Sequence, residues 1–248
     1  MGRYAIKICY DGTNYKGFQT QQGLQTIQAK LEEALSQKLN ERIEIVASGR
    51  TDAGVHAIAQ VAHFDTTKEI DCANFGYSIN TLLPQDIAIT YCQRVDDDFH
   101  ARFDAVSKTY RYKIVLSKIH RPLDRNYRHV CFYDLDVDKM YQASRYLIGE
   151  MDFRSFMLTD PTKTNTVRTI YDIRIERYDD YLDIVVKGNG FLHNMVRNIA
   201  GTLVDVGRGR FAVSDMTDII QAKDRSRAGK TLEGKGLYLE SVEYKKFH

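Results

Sequence analysis

Asp52 is the residue whose neighbours best equip it for covalent chemistry. It lies in the run Gly49-Arg50-Thr51-Asp52-Ala53-Gly54-Val55-His56-Ala57, between two glycines, with the guanidinium of Arg50 two positions before it. Glycine accepts backbone angles that other residues resist, so such a loop can turn sharply and expose its side chains. A nearby guanidinium keeps a carboxylate ionised even where water is excluded, and an ionised, exposed carboxylate can act as a nucleophile. The same residues also suit a plain turn, in which the aspartate bonds its own backbone. Strand-like runs flank the loop: Ile43-Glu44-Ile45-Val46-Ala47-Ser48 leads in, and Gln60-Val61-Ala62-His63-Phe64 leads out.

The elements that must position this loop follow from periodicity. Alternating apolar residues predict strands at Tyr4 to Tyr10, Ile43 to Ala47, Ile87 to Val95, Tyr110 to Leu116, 171–177, 181–187 and Leu237 to Tyr244. Ile27, Leu31, Leu35 and Leu39 share one helix face that ends at Asn40. A second helix is expected at Val137 to Leu147, with Asp136 as N-cap and Gly149 past its end. Further helices fit 194–206 and 215–222, the latter capped by Ser214. The pair 171–177 and 181–187, joined at Tyr178-Asp179-Asp180, reads as a hairpin. Strands and helices mix without regular alternation, which points to an α+β fold of two halves, 1–105 and 106–248.

Composition narrows the function classes. The 248 residues are 43% hydrophobic and 27% charged, with three prolines and no low-complexity tract, as in a globular protein. No apolar run reaches the roughly 20 residues of a membrane span, and the N-terminus carries no apolar signal core, so a cytoplasmic location is expected. Cys9, Cys72, Cys92 and Cys131 are scattered without Cys-x-x-Cys spacing and read as reduced thiols. No His-Glu-x-x-His or deaminase zinc pattern occurs, so no metal site is expected. Gly188-Asn189-Gly190 and Gly207-Arg208-Gly209 lack the third glycine of a dinucleotide loop and read as turns. The net charge is only +2, but residues 187–235 hold nine Lys/Arg against five Asp/Glu. Arg208, Arg210, Arg225 and Arg227 in that stretch are candidate phosphate contacts, and a solvated basic surface is the alternative.

The loop around Asp52 closely resembles the catalytic loop of the tRNA pseudouridine synthase A family, and other stretches resemble the same family in order along nearly the whole chain. They include Tyr10-Asp11-Gly12-Thr13-Asn14-Tyr15-Lys16-Gly17-Phe18-Gln19-Thr20-Gln21, Asn80-Thr81-Leu82-Leu83-Pro84-Gln85-Asp86-Ile87 and Phe99-His100-Ala101-Arg102-Phe103. Thr26-Ile27-Gln28 with Leu31-Glu32, Lys108-Thr109-Tyr110-Arg111-Tyr112, Gly190-Phe191-Leu192-His193-Asn194-Met195-Val196-Arg197-Asn198-Ile199 and Gly236-Leu237-Tyr238-Leu239 complete the set. The resemblance implies two ferredoxin-like halves whose mostly antiparallel sheets join into one, with the active-site cleft between them. It further implies Asp52 as nucleophile, Tyr110 against the target uracil, Arg197 paired with the aspartate, Arg50 displacing the base, and Leu237 as an apolar pocket wall. Read from the residues alone, Tyr110 is a core tyrosine and Arg197 a snorkelling or salt-bridged arginine. The implied activity is isomerisation of uridine to pseudouridine at positions 38 to 40 of the tRNA anticodon stem-loop, by a homodimer, with base flipping and without metal or nucleotide cofactor. The chain departs from the family at Thr231-Leu232-Glu233-Gly234-Lys235, where a small, apolar, proline-containing segment is usual. A catalytically silent RNA-binding module and a carboxylate-based hydrolase are the rival readings, and the latter ordinarily needs a second carboxylate that the loop does not supply.

Overall fold

The computed structural model describes residues 1–247. In chain order its regular elements are β1 (Gly2–Tyr10), α1 (Ile27–Leu39), β2 (Val46–Ala47), β3 (His56–Thr66), α2 (Cys72–Asn80), β4 (Ile87–Val95) and β5 (Ala105–Leu116). There follow β6 (His129–Cys131), α3 (Val137–Arg145), β7 (Gly149–Asp152), β8 (Val167–Tyr178), β9 (Tyr181–Gly188), α4 (Met195–Gly207), α5 (Asp215–Ala222) and β10 (Leu237–Tyr244). The fold is α+β with largely antiparallel sheet. The chain divides into one unit of Met1–Val106 with the segment from Tyr238, and a second of Ser107–Leu237. The last strand thus returns to the first unit, which a single division near 105 does not anticipate.

In the first unit β1 lies antiparallel between β3 and β4. The outer edge of β3 is taken by β2, antiparallel, with Val46 opposite His63. Further along the same edge β10 pairs in parallel, with Tyr238 opposite His56 and Leu239 opposite Ala57. The order β-α-β-β-α-β of β1 to β4 is the ferredoxin-like arrangement. Its core joins Ile6 and Ile8 of β1, Leu31 and Leu35 of α1, Phe64 of β3, Ile79 of α2 and Ile89 of β4, each almost wholly buried.

Local chemistry explains most boundaries. Thr26 caps α1 by accepting from the Ala29 N–H, and Asn40 stops it in the left-handed conformation at φ 51°, ψ 42°. Asp136 caps α3 by accepting from the Lys139 N–H at 3.0 Å. Ser214 precedes α5 but makes no capping bond, because its backbone is already helical (φ −63°, ψ −27°). The Asp215 carboxylate instead reaches back to the Ala212 N–H at 2.9 Å. The expected strand at Ile43 to Ala47 shrinks to Val46–Ala47. Side chains of α1 take the backbone that would have paired: Ile43 N–H donates to Ser36 Oγ at 2.9 Å and Ile45 N–H to Glu32 Oε1 at 3.0 Å. Helix α2 carries only Phe75 and Ile79 as buried anchors and shows little periodicity.

In the second unit β5, β9, β8 and β7 are successive antiparallel neighbours, and β6 lies parallel to β5 with Ile114 opposite His129. The β8–β9 hairpin turns where expected, with Tyr178 opposite Tyr181 and Asp179 at φ 50°. Behind it lies a buried carboxylate. Asp183, 3% exposed, meets Arg111 Nη1 at 3.1 Å, Arg128 Nη1 at 2.9 Å and the Tyr178 hydroxyl at 3.1 Å. Removing one member of a buried charge cluster leaves the others desolvated and uncompensated. Asp183→Ala is therefore expected to lower the free energy of unfolding in urea by about 3–5 kcal/mol.

His63 sets an acid limit on the first unit. It is 4% exposed, and its Nδ1 accepts the Ala101 N–H at 3.2 Å. Burial, helped by the positive charges of Arg3 and His100, pushes its pKa down to about 4. A histidine whose folded pKa lies below the unfolded value of roughly 6.5 contributes fully above that value and loses its contribution as pH falls towards 4. Urea unfolding of the protein is expected to lose about 3 kcal/mol more between pH 7 and pH 4 than that of His63→Gln, whose amide oxygen can still accept from Ala101.

Candidate active site

The segment carrying Asp52 has no regular structure of its own and leaves β2 only to enter β3. It turns at Asp52-Ala53-Gly54-Val55, where the Val55 N–H donates to the Asp52 carbonyl at 3.2 Å. Gly54 sits at φ 73°, the value the third position of such a turn needs and one that a side chain resists. Gly49 is not among the positive-φ glycines, so only one of the two flanking glycines uses its freedom. Asp52 is half-buried and Arg50 exposed. One half of the loop's stem is tied by Gln60, whose amide donates to the Gly49 carbonyl at 2.9 Å and accepts from Ser48 Oγ at 2.5 Å.

The N-terminal motif is the other half of the clamp. Phe18 N–H donates to the Thr51 carbonyl at 3.0 Å, Gly54 N–H to the Tyr15 carbonyl at 3.4 Å, and the buried Tyr10 hydroxyl bonds Thr51 Oγ1 at 2.8 Å. Burial raises the Tyr10 pKa, which keeps this phenol neutral in the contact. Gly12 packs so closely that an added Cβ would overlap the Val55 carbonyl. Its N–H points at Nδ1 of the buried His56 at 3.1 Å, and His56 stacks on Tyr238 with ring centres 4.7 Å apart. Asp11 Oδ1 also lies 3.1 Å from His56 Nδ1, which cannot accept from Gly12 and donate to Asp11 at once. The third motif props the second: the Tyr15 hydroxyl donates to Asp86 Oδ1 at 2.5 Å and the Asp11 N–H to the Asp86 carbonyl at 2.9 Å. The N-terminal motif thus braces the Asp52 turn directly, and Asp86 braces it through Tyr15 and Asp11.

The second unit holds the other candidates. Tyr110, on β5, is 8% exposed and meets the edge of Phe191 with ring centres 5.1 Å apart. Tyr112 is fully buried, and its hydroxyl donates to the Glu233 carbonyl at 2.8 Å, as befits a core residue. Arg197, in the first turn of α4, donates from Nε to the Leu232 carbonyl at 2.7 Å and from Nη1 to Asn194 Oδ1 at 2.7 Å. Two of its donors are therefore met by a backbone carbonyl and an amide oxygen. The departing segment Thr231–Lys235 is what supplies Leu232 and Glu233. Glu233 is held below the usual carboxylate range: burial pushes it up, but Lys235 at 3.0 Å and His129 at 3.4 Å outweigh burial. Leu237 is 7% exposed, next to the short helical turn Gly234–Gly236.

The basic candidates differ from one another. Arg208 and Arg210 both pair with Asp205, at 2.7 and 3.0 Å, and Arg208 lies over the Tyr133 ring at 4.8 Å. Arg225 is turned inward: Nη2 donates to Asn198 Oδ1 at 3.0 Å and to Thr231 Oγ1 at 2.8 Å, and burial lowers its pKa. Arg227 is exposed. Among the described residues no group of three or more His, Cys, Asp or Glu is arranged to hold a metal ion, and no helix is long and apolar enough to cross a membrane.

The sequence model of the family described as tRNA pseudouridine synthase matches residues 6–104 and 143–245. A tRNA pseudouridine synthase A of Thermoanaerobacter sp. is 41% identical over 244 residues, 98% of this chain and 100% of that protein. One of Bacillus velezensis is 46% identical over 244 residues, 98% of this chain and 99% of that protein. Among solved structures, a chain of a Cbf5–Nop10–Gar1 complex is 10% identical with a TM-score of 0.37, covering 96% of this chain and 58% of that one. With a family match on both sides of the chain and full-length relatives above 40% identity, this chain belongs to the tRNA pseudouridine synthase family.

Proposed function

We propose that this protein isomerises uridine to pseudouridine at positions 38 to 40 of the tRNA anticodon stem-loop, working as a homodimer in the cytoplasm. The observation that carries the reading is Asp52: a half-buried carboxylate on a turn whose backbone is fixed from both sides, within a chain of this family. The reaction breaks the bond from the ribose C1′ to N1 of uracil, turns the base, and makes a bond from C1′ to C5. The C5 proton then leaves. Nothing is oxidised or reduced, so the chemistry asks for no redox cofactor. The base must first leave the stack, at a cost of a few kcal/mol. The exposed Arg50 takes its place there. Asp52 assists departure of N1, as nucleophile at C1′ or by relieving the base through a glycal. Tyr110 contacts the uracil and helps remove the C5 proton, Arg197 supports the aspartate's charge, and Leu237 walls the pocket.

Digesting treated tRNA to nucleosides tests this reading. Pseudouridine should appear at the expense of uridine, with no added metal or nucleotide. Free uracil would show a hydrolase instead, and unchanged nucleosides with bound tRNA would show a silent RNA-binding module. The basic stretch of the second unit meets tRNA phosphates in this account. Neutralising Arg210 and Arg227 together should weaken tRNA binding and reduce the slope of log K against log salt by roughly 2. Arg225 is left out because its guanidinium also holds α4 to Thr231, and Arg208 because it compensates the buried Asp205.

A further inference from the structure

Cys72 and Cys92 are twenty residues apart, and no spacing rule links them, yet their sulfurs lie 3.2 Å from each other. Cys72 opens α2 and is partly exposed, whereas Cys92 lies on β4 and is only 6% exposed. The elements that carry them are already joined. Asn80, at the end of α2, donates to the Ile89 carbonyl at 3.0 Å and accepts the Ile89 N–H at 2.8 Å. Neither other cysteine shares this setting. Cys9 faces Ala88 across β1–β4, four positions from Cys92, and Cys131 belongs to the second unit. A disulfide needs the sulfurs at about 2.05 Å, a closure of roughly 1 Å from where they stand.

We propose that Cys72 and Cys92 form a thiol–disulfide site that reacts reversibly with low-molecular-weight disulfides. Cys72, the accessible sulfur, attacks one sulfur of R–S–S–R as its thiolate. This forms Cys72–S–S–R and releases R–S⁻. Cys92 then gives its proton to solvent and attacks the Cys72 sulfur, and the second R–S⁻ leaves. Two protein thiols become one disulfide, the small disulfide is reduced to two thiols, and the two protons lost are regained by the leaving thiolates. Burial raises the pKa of the Cys92 thiol and holds it protonated, so the accessible Cys72 is the sulfur that attacks first. In a reducing compartment such a bond is transient, as a redox-responsive one must be. The bond would close a ring around Asp86, the residue that holds Tyr15 and Asp11 beside the Asp52 loop.

The test uses the full-length reduced protein, treated under native conditions with glutathione disulfide, alkylated, and mapped by mass spectrometry without reduction. The expected result is a linked peptide pair containing Cys72 and Cys92, free of glutathione, that dithiothreitol returns to two alkylatable thiols. Cys92→Ser should stop at glutathione bound to Cys72, and Cys72→Ser should leave Cys92 unmodified. Glutathione retained on Cys72 of the unsubstituted protein with Cys92 still alkylatable would overturn the proposal. So would two free thiols at these positions after treatment.

Discussion

Asp52→Asn should bind tRNA within a few-fold of the unsubstituted protein and form pseudouridine at least about 10⁴-fold more slowly. The asparagine side chain has nearly the same shape but carries no charge and makes a poor nucleophile. Bonds made by the Thr51 and Asp52 carbonyls, the Gly54 and Val55 amides, the Thr51 hydroxyl and the Gly49 carbonyl persist in the variant and should keep the loop in form. None of those needs the Asp52 carboxylate. Filter binding and nucleoside analysis of the same preparations separate the two quantities. A parallel loss of binding and rate would mean that Asp52 builds the site rather than acting in it.

Gly12→Ala is the second substitution with a large expected effect. It changes a residue with no side-chain chemistry to offer: its N–H donates to His56, its carbonyl accepts the Tyr15 N–H, and the absence of a side chain leaves room for Val55. The new methyl group would overlap the Val55 carbonyl, a backbone atom of the turn that presents Asp52. Backbone must therefore move, and a displacement of about 1 Å at a catalytic group costs on the order of 10²-fold in rate. Overpacking of this kind also costs about 1–3 kcal/mol of stability. The expected outcome is a kcat reduced about 100-fold with KM changed only a few-fold, in a protein that still unfolds cooperatively in urea. An alanine protein with full kcat would show that the clamp around the loop does not position the aspartate.

Helix α1 is legible in the sequence down to its last residue because its determinants are local: a four-residue apolar repeat and Asn40 after it. The same holds for the β8–β9 hairpin, whose turn lies between its own strands. What escapes a linear reading depends on residues far away. Ile43 and Ile45 have strand-like alternation, but Ser36 and Glu32 of α1 claim their amides. The return of β10 to β3 pairs Tyr238 with His56, and no local pattern encodes it. The string around Asp52 announces the loop, whereas its supports Tyr10, Gly12, Tyr15 and Asp86 are visible only as unexplained motifs until hydrogen bonds join them. Arg225 shows the limit of charge counting. It contributes to a basic stretch in sequence, but in the fold it binds Asn198 and Thr231.

The carboxylate at position 52 drives exchange of the bond at uracil C5 in this mechanism, and tritium placed at C5 of the uridines in tRNA reports that event directly. With equal protein and tRNA, the unsubstituted chain should release tritium to water in step with the pseudouridine it forms, while Asp52→Asn, bound to the same tRNA, should release none above background. Equal release by the two proteins would show that the exchange at C5 does not need the Asp52 carboxylate.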